Sequence, residues 1–209
     1  MVIGRSISVD DILDQYDAVF IGSGAGLPRF MGIEGENLKG VYSANEFLTR
    51  INLMKAYEEH SRTPVQHGKH VAVVGGGNVA MDAARCAMRL GAEKVYVIYR
   101  RSMDELPARA EEVENAQEEL IEFKTLTNPV RILGDDDHNV CGIECVNMQL
   151  GEPDESGRRS PKAVEGSNHV IDVDSVIIAI GTSPNPLIKA TTMGLDVDRR
   201  GCIIADDCG

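Results

Sequence analysis

The sequence predicts an α/β protein in which a mainly parallel sheet carries a glycine-rich turn and is followed by an antiparallel meander. Three observations predict it. Strand-like and helix-like segments alternate as far as Leu120; the run "VAVVGGGNVAMDAARCAMRL" at 71–90 joins a β-branched strand to a helix through three glycines; and from Ile121 apolar and polar residues alternate between turn clusters.

The first unit runs from a short strand at Val2 and Ile3, through a helix from Val9 to Gln15, into a strand from Ala18 to Ile21. Ser43 and Glu46 have the spacing of a capping box, and Phe47, Leu48, Ile51, Met54 and Tyr57 recur behind them at helical intervals. The polar connector "HSRTPVQHGK" follows. A strand from Val71 to Val74, a helix from Asn78 to Leu90 closed by Gly91, and a strand from Lys94 to Tyr99 make a βαβ unit; Val79, Ala83, Ala87 and Leu90 are expected on one face of that helix. Pro107, placed where its missing N–H costs nothing, opens a helix running to Leu120. The stretch "IEFKTLTNPVRILGDDDHNVCGIECVNMQLGEPDESGRRSPKAVEG" reads as an antiparallel meander with two loops, "GDDDHN" and "GEPDESGRRS" being solvated turns. "HVIDVDSVIIAIGTSPN" reads as one long buried strand ending at Gly181.

Composition narrows the function classes. The chain has 209 residues and a formal charge of -12, so a duplex nucleic-acid surface is excluded and any anion site must be local. Its apolar runs are too short for a membrane span and no signal pattern opens it, which predicts a cytoplasmic protein with no membrane partner. Five cysteines (Cys86, Cys141, Cys145, Cys202 and Cys208) form no CxxC pair, which predicts reduced structural thiols and no metal site.

Two glycine clusters follow strands. "VFIGSGAGLPRF" at 19–30 has Gly22, Gly24 and Gly26, but Pro28 and the residues beyond give no helix to face a phosphate, so it is no independent nucleotide cradle. The second cluster meets every mechanical requirement of a dinucleotide turn: Gly75 for the tight turn, Gly77 for close backbone approach to a pyrophosphate, Ala80 for helix-on-strand packing, and a helix whose first N–H groups face the phosphates. Asn78, Val79 and Asp82 beside it are candidate cofactor contacts, Asn78 alternatively capping the helix. The next strand ends "VIYRRSMDELPAR". Arg100 and Arg101 stand where an NAD site places an acid for the ribose 2′-hydroxyl, and Arg109 follows, which favours NADP and its 2′-phosphate over NAD. The alternative is that these arginines are surface ion-pair partners. Glu111 and Glu112 suit the first turn of a helix for dipole reasons alone, and no residue is a convincing acid, base or nucleophile.

The segments "YDAVFIGSGAGLPRFMGIEGENLKGVYSANEFL", "VAVVGGGNVAMDAARCAMRLGAEKVYVIYRRSMDELPAR" and "SVIIAIGTSPN" resemble the small (β) subunit of NADPH-dependent glutamate synthase and its flavoprotein relatives. The resemblance implies an oxidoreductase in which NADPH gives a hydride to FAD, and electrons pass through iron–sulfur clusters to a large glutamate synthase-like subunit or another acceptor. It also implies an NADP domain inserted into an FAD domain. On that reading residues 1–36 belong to the FAD-binding domain, 37–185 are a Rossmann-like NADP-binding domain, and 186–209 return towards FAD. Gly22, Ser23 and Gly24 would line the FAD side; Ala179, Ile180 and Gly181 would border the cofactors. Family members carry an N-terminal cysteine-rich cluster domain and further FAD motifs that are not among these residues, so the chain is expected to be a central portion with NADP as its own cofactor. Unpaired edges at Ala18–Ile21 and Ile203–Ala205 would then favour self-association. The alternatives are the NADP-binding module of another ferredoxin/NADP-type oxidoreductase, a non-catalytic NADP-binding module, and an S-adenosylmethionine-dependent methyltransferase, the last leaving the arginines without a purpose.

Overall fold

The computed structural model describes residues 1–153, 157 and 159–205. The chain forms two compact units, Arg29–Ile180 and a second made of Met1–Pro28 with Gly181–Gly209. In chain order the elements are α1 (Val9–Leu13), β1 (Leu27–Pro28), β2 (Val41–Ser43), α2 (Ala44–Leu48) with a π-helical continuation over Thr49–Leu53, β3 (His70–Val74), α3 (Asn78–Arg89), β4 (Lys94–Ile98), a 3-10 turn at Met103–Glu105 and α4 (Ala110–Glu118). There follow β5 (Glu122–Lys124), β6 (Thr127–Gly134), β7 (Val140–Pro153), β8 (Arg159–Ala163), β9 (His169–Ile171), β10 (Ser175–Ile178), β11 (Thr182–Ser183) and α5 (Pro186–Thr191).

In Arg29–Ile180, five parallel strands make a sheet of order β2-β10-β3-β4-β5. Val71, Val73, Val95, Val97 and Ile177 pack on one face against Phe47, Met81, Ala83, Ala84 and Ala116 of the helices. Ala72, Val74, Ile98, Val176 and Ile178 pack on the other against Ile132, Val140, Ile143 and Cys145. The period of two along β3 sends alternate residues to the two cores, and with both faces covered the strand needs no polar positions. The second core closes on an antiparallel sheet of order β6-β7-β8, with β9 beside β7. The parallel sheet and the antiparallel meander thus share one hydrophobic unit. Alanines at 80, 83, 84 and 87 keep α3 thin enough to lie close on the sheet, and Gly91 at φ +98° ends it.

The remaining unit is simpler. Ser8 and Asp11 form a full capping box on α1, and β1 pairs antiparallel with β11.

Several expected elements differ. Val2–Ile3 makes only an isolated bridge between Ile3 and Ile7, and 18–21 forms no strand, because no neighbouring strand completes its ladder; Phe20 is 94% exposed. Among the described residues Ile203 likewise has an isolated bridge to Val197, and neither 18–21 nor 203–205 forms the strand edge expected there. Ser43 caps α2 through the Glu46 N–H, but the Glu46 carboxylate turns to Arg50 (2.7 Å) and leaves the box half made. The π-turn then rotates the helix face, so Phe47 and Ile51 are buried while Met54 and Tyr57 are exposed. Glu122–Lys124 joins the parallel sheet beside β4 instead of the meander. The long strand expected over 169–181 is two strands in different sheets: β9 pairs with β7, and β10 lies between β2 and β3. The break at Asp174 is fixed by its carboxylate, which accepts the N–H groups of Lys69 (3.0 Å) and His70 (3.1 Å). Part of the loop "GEPDESGRRS", together with Cys208, lies outside the described residues.

Candidate dinucleotide-binding site

The three glycines after β3 have different reasons to be glycine. Gly75 prolongs the ladder by donating to the Ile98 carbonyl (3.0 Å), at φ +142°, and a Cβ there would overlap the Ala179 carbonyl oxygen. At Gly76 a Cβ would come within 2.7 Å of the Tyr99 ring and 2.8 Å of Leu106. Gly77 is under neither demand: its φ of -90° is ordinary and a Cβ would meet nothing within 4 Å. It is the N-cap of the 12-residue α3, and no side chain caps that helix. An uncapped helix leaves its first N–H groups without intrahelical acceptors, and a bare Cα lets an anion reach them. The turn therefore fits a dinucleotide pyrophosphate, and what calls for glycine at 77 is open space beside a helix N-terminus.

The other expected residues fall into place around this turn or away from it. Asn78 is the first helical residue and not the cap; its Oδ1 accepts the Arg109 N–H (2.9 Å). Val79 is 46% exposed and lies off the packed face, which consists of Ala80, Met81, Ala83, Ala84 and Ala87; the helix is wound so that Val79 points away from the sheet. Ala80 is fully buried. Asp82 is exposed. Ala179 donates to the Val74 carbonyl (2.8 Å), which puts it and the partly exposed Ile180 at the carboxyl ends of β3 and β10, beside Gly75. Gly22, Ser23, Gly24 and Gly181 belong to the other unit and are exposed there.

The arginines separate. Arg100 and Arg109 are exposed, and among the described residues neither guanidinium has an ion pair or a hydrogen bond. Arg101 is half-buried and donates from Nε to the Arg159 carbonyl (3.0 Å), while its own carbonyl accepts the Leu126 N–H. None of the three meets a described carboxylate, so they are not ion-pair partners there. Nearby cations behave otherwise: Arg85 pairs with Glu112 (3.2 Å) and Glu119 (2.9 Å), and Arg89 with Glu119 (2.6 Å). Glu112 is thereby committed to joining α3 to α4. The Arg89 hydrogen bond, aided by Arg85, holds the Glu119 carboxyl below its usual range despite partial desolvation.

Helix α4 begins at Ala110, three residues after Pro107. Its expected first turn is drawn out because the Ala108 N–H bonds the Gly76 carbonyl (3.1 Å) and the Arg109 N–H bonds Asn78. The turn after β4 is braced from within. Glu105 accepts the Ser102 N–H (3.1 Å) in a capping box and Arg159 Nε (2.9 Å), and the Tyr99 hydroxyl donates to the Glu105 carbonyl (2.8 Å). Gly76, Tyr99, Glu105 and Arg159 were not among the expected site residues. The "SMDE" capping spacing was readable in the sequence; the Arg159 partner, 54 positions away, was not. Burial pushes the Cys145 thiol up to about 12. Among the described residues no group of three or more His, Cys, Asp or Glu could hold a metal ion, and no helix is long and apolar enough to cross a membrane.

A parallel sheet with a glycine turn opening into an uncapped helix defines a dinucleotide-binding domain of the Rossmann kind. Residues 5–209 match the pyridine nucleotide-disulphide oxidoreductase family, and the chain belongs to it. It is 40% identical over 209 residues to the glutamate synthase [NADPH] small chain of Halomonas elongata, covering 99% of this chain and 44% of that one. It is 41% identical over 204 residues to the NADPH-Fe(3+) oxidoreductase subunit beta of Geobacter sulfurreducens, covering 97% and 29%. The chain thus spans less than half the length of these relatives. Among solved structures, Mycobacterium tuberculosis FprA in complex with NADPH shares the fold at a TM-score of 0.74 and 21% identity, over 94% of this chain and 56% of that one. Thioredoxin reductase of T. acidophilum shares it at 0.60 and 21%, over 86% and 49%.

Proposed function

We propose that this chain is the NADPH-binding part of a flavoprotein oxidoreductase that passes a hydride from NADPH to FAD, as in the glutamate synthase small subunit. The observation that carries the reading is the pairing of an open, uncapped α3 turn with an exposed Arg100 just after the next strand, whose guanidinium has no partner among the described residues. Gly77 with the first N–H groups of α3 at Asn78 and Val79 would hold the pyrophosphate, Gly75 and the buried Ala80 shaping the turn, and Asp82, Ala179 and Ile180 would border the rest of the cofactor. Arg100 and Arg109, whose guanidinium groups have no partner among the described residues, would meet the 2′-phosphate. Arg101, anchored through Nε, keeps its terminal nitrogens for the same anion. When bound, the nicotinamide and the flavin supply the hydride chemistry, and the protein supplies placement.

Residues 37–185 act on this reading as the NADP-binding domain, and 1–36 with 186–209 belong to an FAD-binding domain whose Gly22, Ser23 and Gly24 face the flavin. Iron–sulfur clusters reside in other parts of a longer, cytoplasmic protein, which delivers electrons to a partner subunit. The subunit names of the relatives support such an assembly. The test is anaerobic mixing of the complete flavoprotein with NADPH while the flavin absorbance is followed. Bleaching by NADPH and much slower bleaching by NADH are expected; NADPH binding without bleaching would contradict hydride transfer.

A further inference from the structure

The segment carrying the arginines is clamped onto the glycine turn in three places. The Ala108 N–H donates to the Gly76 carbonyl (3.1 Å), Tyr99 and Leu106 fill the space beside the Gly76 Cα, and the Arg109 N–H donates to Asn78 Oδ1 (2.9 Å). Only the last uses a side chain from the first turn of α3, and it ends on Arg109, which caps α4 and whose guanidinium has no partner among the described residues. Asn78 has no capping duty of its own, since Gly77 is the N-cap.

We infer that Asn78 is a positioning residue for 2′-phosphate recognition, acting through the main chain of Arg109; this rests on the reading of the site as an NADP site. Its carboxamide fixes the start of α4 to the turn that meets the pyrophosphate, so that Arg109 approaches the cofactor from backbone already in place. Removing the acceptor leaves the link at 107–109 held by Ala108 alone, and ordering Arg109 on the cofactor then takes more of the binding energy. The penalty falls on NADPH more than on NADH, because only NADPH has the group that Arg109 meets.

The experiment titrates the 209-residue chain and its Asn78→Ala, Arg109→Ala and doubly substituted variants with NADPH and with NADH by calorimetry. Asn78→Ala is expected to lower the ratio of NADPH to NADH affinity by about threefold to tenfold, the worth of one net hydrogen bond, and to leave the ratio unchanged when Arg109 is already alanine. An equal loss for both cofactors, or the same loss of ratio without the Arg109 side chain, overturns the inference. Amide exchange of the unliganded wild-type chain gives a reading independent of any variant's folding: a protected Arg109 N–H is expected, and exchange at the free-chain rate overturns the link. A wild-type chain that binds both cofactors equally overturns the NADP reading beneath it; failure of the Asn78 link alone leaves the wild-type ratio standing.

Discussion

Substituting alanine at Gly77 separates what the fold requires from what a ligand requires. A Cβ at 77 meets no atom within 4 Å and the backbone is at φ -90°, so neither clash nor strain opposes it. Alanine is a poorer N-cap than glycine by several tenths of a kcal/mol, while the stiffer unfolded chain offsets about 0.4–1 kcal/mol. The net change in stability is therefore within about 0.5 kcal/mol. The methyl group would instead stand where the pyrophosphate approaches the α3 N-terminus. Losing one or two charge-assisted N–H contacts, at about 1.5–3 kcal/mol each, weakens binding by about tenfold to a thousandfold or more. NADPH and NADH share the pyrophosphate, so both should weaken together. Urea unfolding and calorimetric titration of Gly77→Ala read the two quantities separately. Wild-type affinity for both cofactors in a stably folded Gly77→Ala chain would exclude a pyrophosphate at the α3 N-terminus. Gly75→Ala is the companion: its Cβ overlaps the Ala179 carbonyl, so the chain should lose roughly 2 kcal/mol or more of stability before any ligand is added.

Arg100→Ala should leave the urea midpoint unchanged, because its guanidinium has no described partner, yet weaken NADPH by about tenfold to a hundredfold with NADH unaffected. Glu119→Gln should destabilise the chain at pH 7 by on the order of 1 kcal/mol, the network being only partly shielded from solvent. The Glu119 carboxyl lies below its ordinary value of 4.5 in the folded state, so its contribution is complete above that value and lost as the pH falls through the folded one. The melting temperatures of wild type and Glu119→Gln should accordingly converge in acid. A thiol reagent applied to the native chain at pH 8 should label the exposed Cys141 and Cys202 and spare Cys145 until urea is added; mass spectrometry of the labelled peptides decides it.

What the sequence disclosed follows the range of the interactions involved. The β3–α3–β4 unit was readable almost to the residue, because β-branched runs, alanine spacing and Gly91 are local signals that agree with the packing. The start of α4 was misplaced because Gly76 and Asn78, more than thirty residues upstream for the Asn78 bond, take the donors at Ala108 and Arg109. The strand expected over 169–181 was read as one because apolar content is continuous across it, whereas the change of sheet depends on Asp174 meeting Lys69 and His70 over a hundred positions away. In the site, the sequence set Arg100 and Arg101 at the strand end and Arg109 on the next helix, with nothing to divide them by their partners. Only the structure divides Arg100 and Arg109, whose guanidinium groups have no partner among the described residues, from an Arg101 already bonded to Arg159. The duty of Asn78 was equally hidden, since a hydrogen bond to a main-chain N–H leaves no mark on the partner's residue type.

The most direct measurement is the affinity of the unsubstituted chain for NADPH compared with NADH, titrated at the same salt concentration. On the proposed reading, Arg100 and Arg109, whose guanidinium groups have no partner among the described residues, meet a 2′-phosphate that only NADPH carries, which predicts tighter binding of NADPH by at least about tenfold. Equal affinities, or no binding of either cofactor, would contradict it.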